Sequence, residues 1–129
     1  MPHRLLIAGA VVLALLAAGC REARPTLAGG KPVGHWTAAL RDPDARVRKE
    51  AAFKLGNVGP ADPAALPALT GALKDPDPGV RREAILALLK FGPAAREAAP
   101  ALAQMRQHDR DAQVRSYAAR AVEKLQVDP

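Results

Sequence analysis

The feature that most constrains the fold of this chain is a segment of about 20 residues that recurs at an offset of 33 positions. LRDPDARVRKEAAFKLGNVG begins at Leu40, and LKDPDPGVRREAILALLKFG begins at Leu73. A weaker third copy, at an offset of 34, lacks the turn prolines and the terminal glycine but keeps Asp109, Asp111, Val114, Arg115, Ala118 and Leu125. A period in this range is typical of a solenoid, in which neighbouring units bury a continuous core between them.

Each copy carries the pattern of an amphipathic helix that follows a helix start signal. Asp44, Asp77 and Asp111 are predicted N-caps, because a short carboxylate can accept from the free amides of a first helical turn. Gly59 and Gly92, each followed by proline, are predicted to end two of these helices. Apolar residues at spacings of four, four and three lie on one face, which in the first copy comprises Val47, Ala51, Leu55 and Val58.

A first helix is predicted before each of these second helices, over residues 34–41, 63–74 and 94–107. Because aromatic residues make up only 3% of the chain, the core must depend on close helix packing through small side chains. The sequence therefore predicts an all-α fold, an α-solenoid of about three helical-hairpin repeats within residues 35–127. The repeats are placed at about 35–60, 61–93 and 94–126.

The first 19 residues are predicted to be an export signal, with a short basic start and 14 uncharged residues from Leu5 to Ala18. LAAGC, which ends at Cys20, resembles the lipobox of bacterial lipoproteins, with Ala17 where that family prefers leucine. The resemblance implies that Cys20 is acylated and anchors the chain at the cell envelope. It also implies that Arg21, in place of an aspartate, permits the outer membrane. An uncleaved membrane anchor is the alternative interpretation.

Residues 20–34 are predicted to be a flexible tether, because they show no apolar periodicity and contain Pro25, Gly29, Gly30, Pro32 and Gly34. A flexible chain of about 14 residues spans roughly 20 Å. Since Cys20 is the only cysteine, it has no partner within the chain for a disulfide.

The DPDxxVRxxAxxxLxxxG pattern resembles the HEAT-repeat superfamily, and most of all its short bacterial repeats of the phycobilisome-lyase-like type. The resemblance covers residues 34–126. It implies that Arg48, Arg81 and Arg115 pair with the turn aspartates in a ladder between neighbouring repeats. An anion-binding stripe along these three arginines is the alternative. A fold of this kind does not by itself define a function.

The sequence offers little for catalysis or metal binding. His35 and His108 are 73 positions apart, and Ser116 is the only serine. A nucleophile with a positioned base is therefore not expected, and neither is a metal site or a cofactor. The paired carboxylates of the DPD blocks recur at every turn, which favours helix capping over acid–base chemistry. The chain is predicted not to be an enzyme.

Four residues are predicted to contact a partner protein. Lys49 and Arg82 are expected to be exposed charges on the second helices. Tyr117 is also expected to be exposed, because it occupies the repeat position that is a glutamate in the first two copies. Trp36 lies in the first helix, with no preceding repeat to cover it. It is therefore either an anchor for a partner or a cap over the open end of the stack.

The formal charge of +6 favours anionic partners, and loss of Arg4 with a cleaved leader would leave +5. The leading hypothesis is a membrane-anchored, non-catalytic scaffold that binds an envelope protein. One alternative is an accessory protein related to the bilin lyases, and another is a binder of anionic envelope polymer or lipid. Nucleic acid is not an expected partner, because the leader predicts export.

Overall fold

The computed structural model describes residues 26–126, where a short β-hairpin is followed by six α-helices. The predicted leader, Cys20 and the first part of the tether lie outside the described residues. The elements are β1 (Leu27–Ala28), β2 (Lys31–Pro32), α1 (Val33–Ala39), α2 (Ala45–Val58), α3 (Ala65–Ala72), α4 (Pro78–Phe91), α5 (Ala99–His108) and α6 (Ala112–Gln126), with 3-10 turns at Gly59–Ala61 and Gly92–Ala98.

The six helices form three stacked hairpins, because α1 packs on α2, α3 on α4 and α5 on α6. The second helices form a continuous row in which α2 packs closely on α4, and α4 on α6. The first helices touch one another much less, so the second helices form the more tightly packed row of the stack. This arrangement confirms the predicted all-α solenoid.

The second helices begin at the predicted caps. The amides of Arg46, Val80 and Val114 donate to a carboxylate oxygen of Asp44, Asp77 and Asp111 over 2.9, 3.0 and 2.8 Å. The helices α2 and α4 stop at Gly59 and Gly92, whose φ angles of 57° and 61° favour glycine.

Small side chains allow the second helices to approach closely. A Cβ atom built on Gly56 would lie 2.8 Å from the Cα atom of Ala87, so α2 and α4 are almost in backbone contact there. Around this point the core is aliphatic, and its fully buried side chains include Leu55, Leu69, Leu88 and Leu102. Val47 is only half-buried, although the apolar pattern placed it with the core.

The helix predicted over 34–41 corresponds to α1, which spans Val33–Ala39 and so differs by one or two residues at each end. The other two predicted first helices also differ in extent from α3 and α5. The helix predicted over 63–74 is shorter, as α3 spans Ala65–Ala72. The helix predicted over 94–107 is divided into a 3-10 turn at Gly92–Ala98 and α5. Pro100 accounts for this last difference, because a proline has no amide to donate and fits the first turn of a helix.

The carboxyl-terminal part of the predicted tether is folded. Strands β1 and β2 pair antiparallel through a turn at Gly29 and Gly30, whose φ angles are 56° and 80°. Ala28 and Val33 are buried, and the indole Nε1 of Trp36 donates to the Ala28 carbonyl over 2.7 Å. Residues 27–34 therefore belong to the domain, because their apolar side chains and the Gly-Gly turn let them cover the first repeat.

Candidate protein-binding surface

The loops that join the first and second helices read DPD in the first two repeats and DRD in the third. We call all three the DPD loops, and they share one pattern of internal hydrogen bonds. In each loop, a carboxylate oxygen of the first aspartate accepts from the amide of the second aspartate over 2.8 to 2.9 Å. Each second helix has an arginine at the same repeat position, and its Nη1 donates to the backbone carbonyl of the first aspartate. These bonds are Arg48 to Asp42 at 2.9 Å, Arg81 to Asp75 at 2.8 Å and Arg115 to Asp109 at 2.7 Å.

The same arginines connect one repeat to the next. Nε and Nη2 of Arg48 donate to the two carboxylate oxygens of Asp75 over 2.8 and 3.0 Å. Arg81 holds Asp109 in the same way, over 3.0 and 2.9 Å. Bidentate pairs of this kind are strong and directional. The side chains of Arg81 and Asp109 are only 14% and 8% exposed, so they are committed to the stack instead of to an anion from solution.

The hydrogen bonds of this ladder stabilise the charged forms of Asp109 and Arg48. Burial of Asp109 would raise its pKa, but hydrogen bonds from Arg81 and from the Asp111 amide outweigh burial and hold the pKa below its ordinary value. The bond to Asp75 raises the pKa of Arg48. Asp109 and Arg48 therefore remain charged at neutral pH, which suits a structural contact and not a proton-transfer site.

The four predicted contact residues differ in their exposure to solvent. Lys49 is exposed on α2, and Arg82 is half-buried with Nη1 donating to the side-chain oxygen of Gln113. Tyr117 is half-buried and packs against the core, which corrects its expected exposure. Trp36 is 6% exposed beneath the hairpin. It therefore caps the stack and is not an exposed anchor.

Two exposed apolar side chains on the second helices were not predicted. Phe53 on α2 is 45% exposed and Leu86 on α4 is 36% exposed. They share one column of the repeat at the 33-residue offset, where the third copy has Arg120. They could have been found by comparing the residues at each exposed position of the repeat between the copies. The amphipathic pattern of a helix predicts only which face is buried.

Charged side chains lie around Phe53. Nζ of Lys90 lies 4.8 Å from the centre of the Phe53 ring. A shallow depression of about 420 Å³ beside that ring is lined by Arg46, Lys49, Glu50, Phe53 and Glu83. We define the second-helix surface as a set of exposed or half-buried side chains on α2 and α4. It comprises Arg46, Lys49, Glu50, Phe53, Leu86 and Lys90, which are exposed, with Arg82 and Glu83, which are half-buried.

Within residues 26–126, no group of three or more histidine, cysteine, aspartate or glutamate side chains could hold a metal ion. No helix between these same limits is both long enough and apolar enough to cross a bilayer.

The fold and the ladder define a stack of helical-hairpin repeats of the kind that serves as a protein-interaction scaffold. A family model described as HEAT repeats matches residues 33–123, which is most of the chain. The chain therefore belongs to the HEAT-repeat family. No curated protein matches it.

Proposed function

We propose that this chain is a non-catalytic scaffold that binds another protein through the second-helix surface, while Cys20 anchors it to a bacterial envelope membrane. The observation that carries the binding role is the pair of exposed apolar side chains, Phe53 and Leu86, in one column of adjacent helices. Exposed side chains of this size that line up on a rigid surface are typical of interaction sites.

The spacing of the two apolar residues suits a helical partner. Packed helices lie about 8–10 Å apart, so Phe53 and Leu86 present two contacts separated by about one helix diameter. Two apolar residues seven positions apart on a helix are also about 10 Å apart, since each residue rises 1.5 Å. The surrounding charges of Lys49, Arg82 and Lys90 would orient that partner and speed its approach.

A non-catalytic role is supported by the engagement of the recurring carboxylates. Asp75 and Asp109 are held by arginines, while Asp77 and Asp111 cap helices. An aspartate in such a bond is poorly suited to exchange protons with a substrate.

Membrane anchoring is supported by the sequence before the domain. Cys20 follows an uncharged run of leader type and has no cysteine partner in the chain. Each acyl methylene buried in a bilayer contributes about 0.8 kcal/mol, so two or three chains would hold the protein firmly. Labelling cells with a fatty-acid analogue tests this directly: wild type should carry the label, and Cys20→Ser should not. A wild-type protein without label would contradict the anchor.

The binding role can be tested with a photo-crosslinking residue placed at position 53, at position 86, or at position 27 as a control. Leu27 is a suitable control because it is 57% exposed but lies on the hairpin. We expect the same envelope protein to be crosslinked from positions 53 and 86 and not from 27. Replacement of both Phe53 and Leu86 by alanine should reduce recovery of that protein about tenfold at unchanged melting temperature.

Two outcomes would contradict this assignment. Equal crosslinking from all three positions would mean that the second-helix surface is not the contact. Binding that survives loss of Phe53 and Leu86 but is abolished by Lys49→Glu with Arg82→Glu would instead favour an anionic envelope polymer or lipid, which the net charge of +6 makes the second candidate.

A further inference from the structure

The arginine ladder is incomplete at the third repeat. Nη1 of Arg115 donates to the carbonyls of Asp109 and Arg110 over 2.7 and 3.3 Å, which fixes the guanidinium as in the two preceding repeats. Its Nε and Nη2 edge, however, meets no carboxylate within residues 26–126. In Arg48 and Arg81 the same edge holds an aspartate of the next DPD loop.

The first repeat lacks the complementary half of the same contact. The Asp42 carboxylate accepts from the Asp44 amide, as its counterparts Asp75 and Asp109 do in their loops. Among the residues described, no arginine side chain donates to the carboxylate of Asp42, and Asp42 is half-exposed. Among the described residues, Arg115 at one end of the stack therefore has oriented donors without a carboxylate, and Asp42 at the other end has a carboxylate without an arginine. The same type of arginine–aspartate contact forms twice inside the molecule.

We propose that a second copy of this chain docks end to end, with Arg115 of one copy holding Asp42 of the next. This ion pair repeats the internal ones, and both side chains are already oriented by bonds within their own loops, so little ordering is required on binding. The proposal rests on the ladder and is independent of the second-helix surface.

The hairpin leaves the Asp42 loop accessible. It precedes the start of α1 and contacts α2 through Lys54, near Gly29, whereas the Asp42 loop joins the opposite ends of α1 and α2. The exposed side of α6 is polar, with Ser116, Arg120 and Glu123. Docking should therefore be reversible and depend on the local concentration of the chain.

Co-recovery of two differently tagged full-length copies from cells, in mild detergent, tests the proposal. Wild-type copies should recover each other. Arg115→Gln in both copies, or Asp42→Asn in both copies, should reduce recovery about tenfold. One copy with Arg115→Gln and one with Asp42→Asn keep a single intact contact, so this mixed pair should again recover each other.

Two matched substitutions control for charge and for the turn. Arg120→Gln removes an exposed arginine from the same helix, and Asp62→Asn changes an aspartate with the same type of turn bond, in which the Ala64 amide donates over 3.0 Å. Both should leave recovery unchanged. The proposal is overturned if wild-type copies do not associate, or if the mixed pair recovers no better than either single-variant pair while the melting temperatures stay near wild type.

Discussion

At the scale of single residues, the two aspartates of each DPD loop have different structural roles. In the second repeat, Asp77 caps α4 at the protein surface, whereas Asp75 accepts from Arg48 with a side chain that is only 8% exposed. A helix cap contributes modestly because water can replace it. When one partner of a nearly buried ion pair is removed, the other charge is left unpaired and poorly solvated, so the loss of stability is larger.

Asp77→Ala should lower the free energy of unfolding by about 1 kcal/mol, because the Val80 amide loses its acceptor. Urea denaturation of the protein measures this change. Asp77→Asn is the matched control, since its side-chain oxygen can still accept at this position. An equal loss in both variants would show that charge, and not capping, is what Asp77 contributes.

Arg81→Ala should cost about 3 kcal/mol, because it leaves Asp109 almost buried without its bidentate partner. The neighbouring Arg82→Ala removes only a hydrogen bond to Gln113 that is exposed to solvent, and should cost less than about 1 kcal/mol. Denaturant titrations of both variants compare the two positions. If Arg82→Ala is the more damaging, the assignment of ladder and surface arginines is incorrect.

At the scale of the helices, the close contact between α2 and α4 depends on the absence of a side chain at Gly56. Glycine weakens a helix interior by roughly 1 kcal/mol relative to alanine, so its presence in α2 has a cost that the packing must offset. Gly71 of α3 provides a comparison, because nothing lies within 4 Å of a Cβ atom built there.

Gly56→Ala should therefore lower the stability by about 1–3 kcal/mol despite its better helix propensity, since α2 and α4 would have to move apart. Gly71→Ala should raise the stability by up to about 1 kcal/mol. Thermal melts of the two variants give opposite signs if the contact is as close as described. A stabilising Gly56→Ala would contradict it.

The helices could be predicted from the sequence, but the segment that covers the end of the stack could not. The two ends of α2, at Asp44 and Gly59, could be predicted because capping depends on residue types that are visible in the sequence. The hairpin could not be predicted, because strands of two residues show no periodicity and Trp36 is covered by residues from outside the repeat. Phe53 was missed because burial patterns predict which face of a helix packs, and not which exposed residue is apolar.

At the scale of the whole molecule, the stack should become less stable in acid. The pKa of Asp109 is lower in the folded protein than its ordinary value, which is about 3.9 in an unfolded chain. Its stabilising contribution is therefore complete above about pH 5 and is lost as the pH falls through the folded-state pKa.

The free energy of unfolding, measured from pH 6 to pH 2, should fall across the acid part of this range. Asp109→Asn should be less stable at neutral pH and should show a smaller fall, because the group that takes up the proton is gone. An unchanged pH dependence in Asp109→Asn would mean that other carboxylates account for the acid sensitivity.

The buried position of Trp36 gives the molecule a built-in optical probe of one end. It is the only tryptophan in the chain, and it lies under the hairpin and against the first repeat. Its fluorescence therefore follows local opening at that end, whereas circular dichroism averages over all the helices. Coincident unfolding curves from the two signals would show that the repeats melt as a single cooperative unit, and an earlier fluorescence change would show fraying that starts from the hairpin.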